Sequence, residues 1–165
     1  MNDHIYNVLF LCTSNSARSI MAEAQLNALG HGGFKAYSAG SVPSGVVDPL
    51  TIDFLQKAGL PSVGLRSKSW DEFAEPDAPP IDYVITLCDT AAGEEPPVWP
   101  GHPVSAHWGV TDPLAAGMSE DEHRHAIKNA AATLHKRIEL FTSLPIKTLD
   151  RMSLQAHLHE IGQTG

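Results

Sequence analysis

The stretch Cys12-Thr13-Ser14-Asn15-Ser16-Ala17-Arg18-Ser19 contains the residues whose types and spacing could do chemistry. Thr13, Ser14, Asn15, Ser16 and Ala17 are small or polar, so the backbone can curl until successive amides point inward as an anion nest. A helix beginning near Ala17 adds its first-turn donors and the positive end of its dipole. Arg18 offers a planar fork that matches two oxygens of a tetrahedral oxyanion. The same field favours the thiolate form of Cys12, and Ser19 is placed to donate a hydrogen bond to its sulfur. Together these residues describe a thiolate nucleophile held against a bound tetrahedral oxyanion. Cys-x5-Arg is a short pattern, and a buried strand-end Cys followed by a surface Arg also satisfies it. An apolar strand before, an all-small loop and a helix after make the context more demanding.

The elements that must position this loop follow from periodicity. Tyr6 to Leu11 is a short apolar run, read as a strand. Ala17 to Leu29 is helical, with Ile20, Met21, Ala24, Leu26 and Leu29 as its apolar stripe and Gly30 as its stop. Phe34 to Ser38 is a second strand ending at Ala39-Gly40. Asp48-Pro49 opens a helix that runs to about Ala58. Residues 61 to 80 are irregular, with a short helix expected at Trp70 to Phe73. Asp82 to Leu87 is a third strand, ending at Cys88. Val104 to Trp108 is a fourth, and Ser119 with Glu122 forms a capping box for a long helix reaching Phe141. The tail from Lys147 is expected to be weakly helical, packing as a last turn or fraying. Strands alternating with helices predict an α/β fold, a three-layer arrangement whose parallel sheet is flanked by helices. Ligands then bind at the carboxyl ends of the strands. Cys12 and Cys88 each directly follow a strand, so both thiols belong on that edge.

Composition narrows the classes. The chain has 165 residues, read as a single domain 1–165 in which 147–165 is a C-terminal extension, and its formal net charge is -8. No basic cluster is present, so nucleic acid is an unexpected partner. No apolar run approaches the roughly 20 residues that span a bilayer, and no membrane partner is expected. Ile5 to Leu11 is too short for a secretory apolar region and lacks a basic flank, making the cytoplasm the expected compartment. Two cysteines in a reducing compartment mean chemistry or nothing more often than a structural staple. Neither Cys lies in a CxxC pair, and His123, His125 and His135 read as solvated helix positions. Metal catalysis is not expected.

The stretch VLFLCTSNSARSIMAEA resembles the phosphate-binding loop of the low-molecular-weight protein tyrosine phosphatase superfamily, which includes the thiol-dependent arsenate reductases. The resemblance runs from Asn7 to the long helix and implies a four-stranded parallel sheet with the active site after the first strand. It implies Asp112, in the Asp112-Pro113 pair, as the general acid. From the residues alone, a carboxyl group beside a bound anion could protonate a departing oxygen, or Asp-Pro could simply begin a turn. It further implies that Asn15 and Glu23, with Ser38 and Asp71, could shape the loop around a potassium ion; no other cofactor is expected.

Cys12, Arg18 and Asp112 are shared by both branches of that superfamily, so other features must separate them. Cys88 resembles the second, resolving cysteine of the reductases, although a small buried Cys at a strand end is also common. The stretch AAGEEPPVWPGHPVSAHWGVTDP looks like the reductase loop. Leu114-Ala115 follows Asp112-Pro113 where the tyrosine phosphatases usually carry aromatics. Thioredoxin-coupled reductases commonly have a third cysteine about eight residues after the second, and Pro96 stands there instead. The expectation is an arsenate reductase in which Cys12 attacks arsenate and Cys88 or an external thiol resolves the adduct. Thioredoxin or glutathione with glutaredoxin would be the reductant. The alternative is a phosphatase acting on phosphate monoesters, and a non-catalytic oxyanion-binding regulator is a third reading.

Overall fold

The computed structural model describes residues 5–30, 32–88, 99, 103–114 and 117–163. Its first strand, β1 (Tyr6–Cys12), explains the layering. Val8, Leu9, Phe10 and Leu11 are all 0–1% exposed, and neighbouring strand residues point to opposite faces. Such a strand must be covered on both sides, as parallel sheets are. It is flanked by β2 (Phe34–Gly40) and β3 (Tyr83–Thr86), with β4 (Val104–His107) beyond β3. The order is β2-β1-β3-β4, all parallel, with Cys12 opposite Gly40 and Leu11 opposite Thr86.

One face carries Val8, Phe10, Tyr83, Ile85 and Val104. Among the described residues all four α-helices lie on this side: α1 (Arg18–Leu29), α3 (Glu120–Thr142) and α4 (Arg151–Gly162), with α2 (Pro49–Lys57) packed on α1 and α3. Phe141 of α3 sits at its centre, with the rings of Phe34, Tyr83 and Trp108 at 5.1, 5.3 and 6.0 Å. The opposite face, Leu9, Leu11 and Val84, is covered by Trp70 and Phe73 of a 3-10 helix (Trp70–Phe73) and by Trp99. Trp70 and Trp99 meet edge to face at 6.1 Å. Large rings here cover area that a longer helix would otherwise have to cover. No helix is long and apolar enough to cross a membrane among the described residues.

The capping box at Ser119 and Glu122 forms as expected. Of the two outcomes expected for the tail it is packing that holds, in a helix longer than a single last turn. Asp150 caps α4 by accepting from the Ser153 amide at 2.7 Å, and Leu154, Leu158 and Ile161 are buried at helical spacing. Helix α4 packs along β4, the edge strand. Trp108 Nε1 donates to Leu158 O at 3.0 Å, Arg151 donates to Pro103 O at 3.1 Å, and Gln155 donates to Ser105 O. Gly162 permits this approach, because a Cβ there would stand 2.4 Å from His107 O. Backbone acceptors along an edge that would otherwise face outward are thereby occupied. Leu158 is fully buried, so Leu158→Ala should cost about 2–5 kcal/mol in urea unfolding. A loss below about 1 kcal/mol would mean that α4 is only loosely attached.

Candidate active site

The loop from Cys12 to Arg18 leaves the carboxyl end of β1 and runs into α1, and its shape is set by where its carbonyls go. Thr13 O accepts from the Val42 amide at 2.9 Å, Ser14 O from the Ser44 amide and the Ser67 hydroxyl at 3.0 Å each, and Ser16 O from the Asp48 amide at 3.0 Å. In a planar trans peptide the next N–H points opposite to the carbonyl. Turning these carbonyls outward therefore turns the amides of Ser14, Asn15 and Ala17 inward. No amide from Thr13 to Arg18 donates to a protein acceptor among the described residues. Helix α1 shows the same opening. Asp48, Ser119 and Asp150 cap the other three α-helices with their side chains, whereas Ala17 at the start of α1 gives no such cap. The result is a cup of unpaired donors at a helix N-terminus, suited to an oxyanion.

Asn15 locks the curl. It is fully buried and is the single non-glycine with positive φ among the described residues, at +50°, a conformation that asparagine tolerates better than most side chains. Its Oδ1 accepts the Lys68 amide at 2.9 Å, which fixes the orientation of the amide group. Its Nδ2 then donates to Ser19 Oγ at 2.7 Å. Accepting there leaves the Ser19 hydrogen available for Cys12 Sγ, 3.0 Å away, where the hydroxyl is the donor whenever the sulfur carries no proton. Cys12 is 1% exposed and Ser19 fully buried.

A cavity of about 450 Å³ is lined by Arg18, at the end of the loop, together with Cys88, Gly109, Val110, Thr111 and Asp112. Arg18 donates to Val110 O at 3.1 Å, and Arg137, on α3, donates to Gly109 O at 3.0 Å. Two arginines thus hold by its carbonyls the loop that carries Asp112. Asp112 is exposed, and its Oδ1 accepts the Leu114 amide at 2.9 Å. The carboxyl group begins a turn and lines the cavity at once, so the two sequence readings of Asp-Pro are compatible.

Cys88 lies where the strand ends predict. Leu87 donates to Leu11 O at 2.8 Å, bringing the end of β3 beside the end of β1. Cys12 and Cys88 pack together as a buried pair, not joined in a disulfide, and Thr13 Oγ1 stands 3.3 Å from Cys88 Sγ. Pro96, Glu95, Pro97 and Ala115 lie outside the described residues.

Of the four residues implied for potassium, Asn15, Glu23 and Ser38 converge beneath the loop and Asp71 does not. Ser38 donates to Glu23 Oε1 at 2.5 Å, whereas Asp71 is exposed on the 3-10 helix. Lys68 takes part where Asp71 was expected, with its Nζ 3.8 Å from Glu23 Oε1. Burial pushes the Glu23 carboxyl above the usual range, against the Ser38 hydrogen bond and the cations Lys68 and Arg66. Burial likewise pushes the Lys68 ammonium down, against the attraction of Glu23.

Three contributors were missed from sequence. Arg137 and Lys68 carried no local signal, since each acts on a segment distant in the chain. Gly40 was noted only as a strand end, yet a Cβ there would lie 2.4 Å from Thr13 O and 3.1 Å from Asn15 N. Gly40→Ala should therefore push the loop out of shape while leaving the sheet intact. The expected result is at least a tenfold loss of the protection that inorganic phosphate gives Cys12 against iodoacetamide, with unchanged far-ultraviolet circular dichroism. Full protection in the variant would mean that the loop tolerates the displacement.

The model of the low molecular weight phosphotyrosine protein phosphatase family matches residues 7–144. An arsenate reductase from Bacillus licheniformis is 33% identical over 135 residues, covering 81% of this chain and 93% of that protein. The crystal structure of arsenate reductase from Archaeoglobus fulgidus is 30% identical, with a TM-score of 0.59 over 80% of this chain and 98% of that one. A structure described as an arsenate reductase in the phosphate binding state is 29% identical, with a TM-score of 0.62 over 82% and 98% of the two chains.

Proposed function

The chain belongs to the low molecular weight phosphotyrosine protein phosphatase family, and on that footing we propose that it is an arsenate reductase using Cys12 as nucleophile and Cys88 as resolving thiol. The inward amides of the loop and the Arg18 guanidinium hold the oxyanion, and the Cys12 thiolate attacks arsenic. Asp112 gives its proton to the departing oxygen, which leaves as water, and a bond forms between Cys12 Sγ and arsenic(V). The Cys88 thiolate then attacks Cys12 Sγ. The sulfur–arsenic bond breaks with its electron pair going to arsenic, which leaves as arsenic(III), and a Cys12–Cys88 disulfide forms. An external dithiol or thiol pair must reduce that disulfide to close the cycle.

The observation that carries the reductase reading over the phosphatase one is the second buried thiol packed against the first. Ester hydrolysis needs no second sulfur. A phosphate adduct on Cys12 has no comparably accessible lower oxidation state, so water attack at phosphorus would be its exit. Residual hydrolysis of phosphate monoesters is accordingly part of the proposal. A purely oxyanion-binding role would leave Asp112 at the cavity without a task. With Pro96 in place of a third cysteine, the disulfide would be reduced directly by thioredoxin, or by glutathione with glutaredoxin.

The test is arsenite production by the purified protein with each reductant system in turn. Turnover with one of them is expected, and Cys88→Ser should lower it at least tenfold while aryl phosphate hydrolysis persists. Hydrolysis without arsenite production in either system would make the protein a phosphatase. Undiminished reduction by Cys88→Ser would remove Cys88 from the cycle in favour of an external thiol.

A further inference from the structure

Beneath the loop, Glu23, Ser38 and Lys68 form a buried polar group that none of the steps above uses. Glu23 lies one helical turn after Ser19 on α1, and Ser38 lies on β2. Lys68 lies on the segment that pairs with the end of β2 through the Gly40–Ser69 bridge. The Lys68 side chain is 8% exposed, and its Nζ donates to Arg66 O at 3.0 Å with Glu23 Oε1 at 3.8 Å. Its main chain does something different. Lys68 N–H donates to Asn15 Oδ1 at 2.9 Å, and Lys68 O accepts the Gly40 amide at 2.9 Å. One residue therefore ties α1 through its ammonium and the nucleophile loop through its amide.

We propose that Lys68 is a positioning residue for Cys12, a resident cation whose ammonium anchors the 66–69 segment to Glu23 so that Asn15 and Ser19 present a hydrogen to the sulfur. The connection is continuous: Lys68 amide to Asn15 Oδ1, Asn15 Nδ2 to Ser19 Oγ, Ser19 Oγ to Cys12 Sγ. Asn15 sits at positive φ, a conformation open to asparagine but held here by its hydrogen bonds to Lys68 and Ser19. The ammonium also balances the mostly buried Glu23 carboxylate, whose hydrogen-bond partner among the described residues is the Ser38 hydroxyl. The more distant charges, Arg66 and Glu72, are engaged with each other at 2.6 and 3.0 Å on the surface and leave Lys68 as the closest cation to Glu23. With this ammonium in place, the position suited to potassium is already served by the chain.

The inference rests on Cys12 being the nucleophile but not on arsenate being its substrate, so the readout is Cys12 itself. Its alkylation by iodoacetamide at pH 7, followed by peptide mass so that Cys88 is counted separately, should slow at least tenfold in Lys68→Ala. Methylammonium should restore a substantial part of the rate, and tetramethylammonium at equal ionic strength should not. Wild-type alkylation should be the same in potassium and sodium buffers. Should Lys68→Ala fold poorly, the double variant Lys68→Met with Glu23→Gln removes both charges together and is expected to be equally slow. Alkylation within twofold of wild type in that double variant would overturn the proposal, as would identical effects of the two ammonium salts on Lys68→Ala. Absence of arsenite production by the wild type would instead strike the arsenate reading and leave this one standing.

Discussion

A peptide can aim its carbonyl or its amide at a given point, never both, and the active-site loop is arranged around that restriction. Making a cup of donors between Thr13 and Ala17 requires that the carbonyls turn away and find partners on the other side. Val42, Ser44, Asp48 and Ser67 supply them, and these residues belong to the 41–48 turn and the 61–69 segment rather than to the loop. The irregular parts of the chain are thus the outer half of the anion site. Gly40 is where the two halves come closest, and its missing side chain is what lets them meet.

A second dependence follows from the net charge of -8. A protein with an excess of carboxylates repels a doubly charged anion at long range. Local dipoles and one guanidinium act over only a few ångströms, so under the proposed function they would select an anion that has already arrived. The Cys12 sulfur stands at the end of a separate hydrogen-bonded chain that begins at the Lys68 amide and passes through Asn15 and Ser19.

Much of this was legible in the sequence because its signals are local. Cys12 through Ser19 announce the loop by residue type and spacing. Val8 to Leu11 announce a strand buried on both faces, and Ser119 with Glu122 announces a capping box. The strand ends at Cys12 and Cys88 put both thiols on one edge of the sheet. What stayed hidden acts across distance in the chain. Lys68 reaches Asn15 over 53 residues and Arg18 reaches Val110 over 92, and no periodicity encodes such pairs. Helix α4 is an intermediate case. Asp150 as cap and Leu154, Leu158 and Ile161 at helical spacing were present to be read, but the segment's modest apolar content made fraying look as favourable as packing. The contact with Trp108 and the β4 edge decides it.

Trp108 gives that last helix a wider reach. Its indole is hydrogen-bonded to Leu158 and wedged among Phe10 and Phe141, and two residues later the backbone carbonyl of Val110 receives Arg18. The oxyanion cup and the C-terminal helix are therefore two ends of one mechanical linkage about a dozen covalent bonds long on the loop side. A fusion partner joined after Gly165 would pull on the helix that seats the indole, and strain there has a short path to the guanidinium. By the same route, an anion that immobilises Arg18 would slow amide hydrogen exchange in a helix lying at the far edge of the sheet.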